Sequence, residues 1–149
     1  MDQQTIENTM LAAIATLQQE EATILQFDVG ERTICACLAA ILKRTFDHHA
    51  VHVEYNRHGI YPKEIELPDG AGELTEKRIF PDIIVHKPGH DDANLLVVEV
   101  KKTTNPVDDD LDIAKLQQIK QQIGYDFAVF LRLPTGPHPD PAGLRIVWV

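Results

Sequence analysis

A mixed α/β (α+β) domain, with a central mixed β-sheet flanked by helices in the order α-α-β-β-β-α-β-β, is the fold class predicted for this 149-residue chain. Three observations predict it. Apolar residues recur at helical spacing as far as Phe46, the period switches to two from Val51, and a helical stretch separates two later strand patterns, as a strand–helix–strand crossover requires. The length suits a single domain over 1–149.

The elements follow in order. Residues 5–20 should form the first helix, because Ile6, Met10, Ala13 and Leu17 make an apolar stripe. Phe27-Asp28-Val29-Gly30 interrupts it. A second helix over 31–46 buries Ile34, Leu38, Ile41 and Leu42, with Cys35, Cys37 and alanines between them small enough for close packing on a sheet. Val51-His52-Val53-Glu54-Tyr55 alternates as a strand. Residues 56–78 are rich in Gly, Pro and charge and read as an irregular excursion. A second strand covers 82–86, with Pro81 at its start, where a missing N–H does least harm. After a turn at 87–92, residues 95–101 form a third, strongly apolar strand. The loop 103–110 offers several N-caps for a helix over 111–123, with Gly124 as its stop signal. A fourth strand (127–133), a Pro/Gly loop (135–143) and a terminal strand (144–149) complete the order.

Bulk composition narrows the function classes. The chain is 44% hydrophobic and 25% charged, which excludes disorder, a coiled coil or a fibre. No apolar run approaches the ~20 residues that cross a bilayer, and the N-terminus lacks the basic start and apolar stretch of a secretion signal. A soluble cytoplasmic protein with no membrane association is the expectation. Cys35 and Cys37 are only two apart and would point in different directions on a helix, so they read as small buried side chains in a reducing compartment. The net charge of −9 argues against a broad basic surface, so any affinity for a polyanion must come from local lysines, arginines and a metal ion.

One constellation carries chemistry. Pro81-Asp82 is followed, after sixteen residues, by Glu99-Val100-Lys101. Side chains alternate across a strand, so Glu99 and Lys101 share a face while Val100 and Lys102 point away from it. Charges closing so apolar a strand are costly without partners. If the strand of Asp82 pairs beside it as a hairpin, the two carboxylates meet, and a hard divalent cation relieves their repulsion. Lys101 would then hold or deprotonate a water and stabilise developing charge, while the metal polarises a phosphoryl oxygen.

Pro81-Asp82 and Glu99-Val100-Lys101, each in a strand, resemble the signature of the PD-(D/E)XK nuclease superfamily, whose restriction-endonuclease-like core runs helix, three strands, helix, strand. The region from Glu31 to Leu133 follows that order. The resemblance implies a Mg²⁺- or Mn²⁺-dependent endonuclease that hydrolyses phosphodiester bonds of DNA. Asp82 and Glu99 would ligate the metal with the backbone carbonyl of Val100, and Lys101 would serve the water. It offers Glu31 as a further acidic residue from the helix before the first strand, and Lys115 and Gln118 as polar residues from the helix after the third. Gln121 and Tyr125 have the spacing of the Gln…Tyr pair of the RecB-like branch, although Gln122 departs from the apolar residue that follows there. The alternative is a catalytically inactive module of this fold that binds nucleic acid or a protein. With little chain left for a separate recognition domain, a partner protein or a homodimer is expected.

Other features carry less. Seven histidines are many for this length, but none forms a zinc-ligand spacing, and they read as pH-sensitive charges. Arg57 after the first strand could contact phosphate, with Lys63, Lys77, Arg78, Lys87 and Lys102 as a local basic rim. Asp108-Asp109-Asp110 lacks calcium-loop spacing and reads as a helix cap. There is no P-loop, dinucleotide fingerprint or nucleophilic serine motif.

Overall fold

The computed structural model describes residues 1–56, 63–68, 74–90 and 92–149. Helix α1 (Gln3–Glu20) starts at Asp2, whose side chain accepts from the Thr5 N–H at 2.8 Å, and buries Ile6, Met10, Ala13, Ile14 and Leu17. A short α2 (Ala22–Gln26), not foreseen above, turns the chain toward α3 (Glu31–Thr45). Glu31 in the first turn of α3, and Lys43 and Arg44 in its last, complement the helix dipole. Arg44 grips Glu20 with two hydrogen bonds of 2.9 and 3.0 Å, fastening the exposed ends of α1 and α3.

Seven strands follow: β1 (Ala50–Val53), β2 (Glu64–Pro68), β3 (Leu74–Arg78), β4 (Ile83–His86), β5 (Leu96–Lys102), β6 (Phe127–Leu133) and β7 (Arg145–Trp148). Five make a mixed sheet in the order β1-β4-β5-β6-β7. Only β5–β6 is parallel. Its crossover contains α4 (Asp109–Ile119), capped by the Asp108 side chain accepting from the Asp110 N–H at 2.9 Å. A π-helical turn (Lys120–Gly124) extends α4, and Gly124 ends it at φ +92°, a conformation that suits glycine.

The pleat divides the sheet's side chains between two cores. Val51, Ile83, Val85, Leu96, Val98 and Val100 face α1 and α3. Ile84, Val97, Ala128 and Phe130 face α4. Strands covered on both sides read as continuous apolar runs, and β4 is buried at every position.

The excursion expected over 56–78 needs correction. Within its described residues, β2 and β3 pair antiparallel as a separate two-stranded sheet. Alternation in Glu64-Ile65-Glu66-Leu67 buries Ile65 against the α4-side core, while Gln122 accepts from the Glu66 N–H (2.9 Å) and donates to its carbonyl (3.2 Å), tying the hairpin to the turn after α4.

A histidine pair fastens the edge strand. His52 Nδ1 and His86 Nε2 lie 2.8 Å apart between β1 and β4, and the Tyr55 ring stacks on His52 at 5.1 Å. The Lys63 ammonium sits 4.7 Å from the Tyr55 ring centroid and donates to its carbonyl, so this lysine is buried rather than part of a basic rim. Burial, then the neighbouring His52, Lys63 and His49, push His86 down to about 4. The unfolded chain therefore takes up this proton near pH 6.5 and the folded protein only near pH 4, so stability falls as pH drops through that window. Denaturant titrations at pH 7 and pH 4.5 should show about 1–3 kcal/mol of lost stability, and a His86→Gln variant should lose distinctly less. Equal losses in both proteins would discount the pair.

Candidate active site

The register of β4 and β5 brings the acidic residues together. Ile83 lies opposite Val98 and Ile84 opposite Val97. Asp82 immediately precedes β4, so the same register carries its backbone toward Glu99, whose side chain shares the α4-side face of Val97. Asp82 Oδ2 accepts from the Val100 N–H at 2.8 Å, and the Asp82 and Glu99 carboxyls lie within hydrogen-bond reach of each other. Val100 itself turns into the core beneath α3.

Helix α4 completes this face. Lys115 Nζ lies 3.5 Å from Glu99 Oε1, and Lys101 Nζ donates to Asp112 Oδ2. Two strand residues two apart thus meet two helix residues three apart, each pair of opposite charge. Burial first, and then the Asp82 carboxylate, push Glu99 up to about 8, partly offset by Lys115. Burial likewise raises Asp82, against the lowering effect of the Val100 N–H and of its hydrogen bond with Glu99. At neutral pH Glu99 therefore retains a proton, because two carboxylates this close do not both ionise unaided.

A cleft of about 220 Å³ opens beside Asp82 between α3 and β1, lined also by Glu31, Arg32, Cys35, Val53 and Glu54. Glu31 braces the end of β5 from its rim. Its Oε1 accepts from the Lys102 N–H (3.2 Å) and from Asn105 Nδ2 (2.9 Å). Burial, then Asp82, Glu99, Glu31 and Glu54, hold the Cys35 thiol firmly protonated, which removes it as a nucleophile.

The remaining sequence candidates lie elsewhere. Lys102 points to the opposite face and bonds the Asp28 side chain at 3.2 Å. Gln118 pairs with Gln122 on the flank of α4, Gln121 is exposed, and Tyr125 is buried in the α4-side core. Arg57 lies outside the described residues, as do the side chains of Lys77 and Arg78. Asp112 was not foreseen. Its available signal was the three-residue spacing to Lys115, which mirrors the charges of Glu99 and Lys101.

Among the described residues, no group of three or more His, Cys, Asp or Glu side chains is arranged to hold a metal ion. A two-carboxylate set nevertheless fits Mg²⁺ or Mn²⁺. Mg²⁺ is commonly held by one or two carboxylates, with water and substrate phosphate supplying the rest. The buried Glu99 and half-buried Asp82 offer only hard oxygen donors, the kind such a cation takes. Comparison of the chain with protein-family models, curated proteins and solved structures finds no match.

Proposed function

We propose that the chain is a nuclease of the PD-(D/E)XK type, with a restriction-endonuclease-like fold, that hydrolyses phosphodiester bonds of DNA with Mg²⁺ or Mn²⁺. The observation that carries this reading is the approach of Asp82 to the end of β5, where it accepts from the Val100 N–H between Glu99 and Lys101, two residues that share one face of the strand. Asp82, Glu99 and the Val100 carbonyl would hold the cation. Once bound, it lowers the pKa of a water molecule and draws charge from the phosphoryl oxygen.

The chain's own residues do the rest. Asp82 is oriented by the Val100 N–H, so one of its oxygens is fixed before any ligand arrives. Glu99 must lose its proton to become a full oxygen ligand, so cation affinity should rise as pH climbs toward 8. Lys115 lies against Glu99 and favours that ionised form. Lys101, whose ammonium bonds Asp112 in this structure, would serve the attacking water and the developing charge. The water oxygen would bond to phosphorus and release its proton to solvent, the bond from phosphorus to the sugar oxygen of the departing strand would break, and that oxygen would take a proton from solvent.

Cleavage of plasmid and oligonucleotide DNA in Mg²⁺ or Mn²⁺ tests the reading. Asp82→Ala and Glu99→Ala should each lower the rate by at least about a thousandfold with far-ultraviolet circular dichroism unchanged. Cleavage at the parent rate by both variants would overturn it. A competing reading, a non-catalytic module of the same fold that binds nucleic acid or a protein, draws on the net charge of −9 and on the carboxylate partners of Lys101, Lys102 and Lys115. Metal-dependent turnover by the purified chain alone excludes it.

A further inference from the structure

We infer that Asp112 is a positioning residue of this site, holding the Lys101 ammonium off Glu99, which already carries Lys115, so that a divalent cation meets one ammonium there and not two. The inference rests on the nuclease reading above and assigns a role to a residue outside its strand signature.

Lys101 is buried, and a buried ammonium requires a partner. Two carboxylates compete for it. Glu99 sits two positions earlier on the same face of β5, about 6.6 Å along the strand and within reach of a flexible lysine. Asp112 comes from the first turn of α4, above the strand. Lys101 is bonded to Asp112. Glu99 faces Asp82 and Lys115 instead.

Three features of α4 make Asp112 suited to this. It lies in the first turn of α4, where the helix dipole attracts negative charge. The helix runs antiparallel to β5, so a step of three residues along it, about 4.5 Å, matches two residues of strand closely enough for both cross-pairs to form. Its acidic neighbours are otherwise placed: Asp109 is held by Arg132 and Arg145, and Asp110 is exposed. Without the Asp112 charge, the nearest carboxylate on Lys101's own face is Glu99. Glu99 would then hold two ammonium groups, Lys115 and Lys101, in competition with the cation.

Calorimetric titration of Mn²⁺ and Mg²⁺ into the full chain and its variants separates the possibilities without a cleavage readout. Asp112→Asn should weaken Mn²⁺ binding about tenfold, as loss of a group that orients a metal site does. Lys101→Met, which removes a positive charge beside the site, should bind Mn²⁺ no more weakly than the parent. The double variant Asp112→Asn/Lys101→Met should regain that affinity, because the competing ammonium is gone, and Asp112→Glu should retain parental binding. Unchanged affinity in Asp112→Asn, or a loss that Lys101→Met fails to restore, would overturn the inference while leaving the nuclease reading intact. Failure of the parent to bind either cation would overturn both.

Discussion

Glu99→Gln is expected to raise the thermal midpoint by about 5–10 °C at pH 8 without divalent cations, and to remove Mg²⁺ binding. Burial and the facing Asp82 lift this carboxyl from 4.5 to about 8. Between those values the folded protein retains a proton that the unfolded chain releases. The stability linked to Glu99 is therefore complete below pH 4.5 and is lost progressively as pH rises toward 8, at about 1.4 kcal/mol per pH unit. A glutamine has no charge to desolvate, donates to Asp82 through its amide and accepts from Lys115 through its carbonyl. The gain should be a few kcal/mol at pH 8, with about 5 kcal/mol, the slope taken over the roughly 3.5 pH units from 4.5 to 8, as its ceiling. It should shrink toward zero near pH 4.5. Thermal melts of parent and variant at three pH values measure it. A pH-independent gain would mean that Glu99 does not hold its proton in the folded state.

Arg132→Ala should cost about 3–5 kcal/mol, the largest loss expected from any single polar side chain in the site layer. From β6, Nη1 donates to the carbonyls of Lys102 and Asn105, both at 2.7 Å, and Nη2 to that of Val107 at 2.7 Å. Nε and Nη2 also grip the Asp109 carboxylate, which is buried and shared with Arg145. Truncation leaves three carbonyls and much of a buried charge without their donors. Arg132→Lys should recover little, because an ammonium cannot reproduce the planar fork of donors. Denaturant unfolding reads the stability, and hydrogen exchange at residues 103–108 reads the loop. A loss below about 1 kcal/mol for alanine would show that water replaces the guanidinium at low cost.

Some of this architecture was legible in the sequence, and for physical reasons. The approach of Asp82 to Glu99 follows from strand alternation and an apolar run that ends in charge, both local properties. The hairpin was hidden because the four-residue alternation of β2 lies between Pro62 and Pro68, which read as breakers. Asp108-Asp109-Asp110 reads as one capping run, yet Asp108 caps, Asp109 is clamped by two arginines and Asp110 faces solvent. Which acid does which depends on the phase of α4 over the sheet, a tertiary quantity that spacing alone does not determine. The same phase sets the Lys101–Asp112 pairing. Lys63 was misplaced because a lysine among glycines and prolines resembles surface, whereas its stem is buried and its charge lies over Tyr55.

The sheet's two unequal covers divide the protein's labour. The α1–α3 side holds most of the buried apolar side chains, and Asp82 borders its cleft beside α3. The α4 side is thinner, completed by a short hairpin, and bears Glu99 and Lys101 with their partners Lys115 and Asp112. Contact between the layers passes through strand backbones, which resist displacement, rather than through interlocked side chains. Substitutions in the thick layer should therefore be felt as changes in robustness, and those in the thin layer as changes in specificity. A lineage carrying this chain can retune what the site accepts by redrawing one helix and one hairpin, while its foundation stays untouched on the far side.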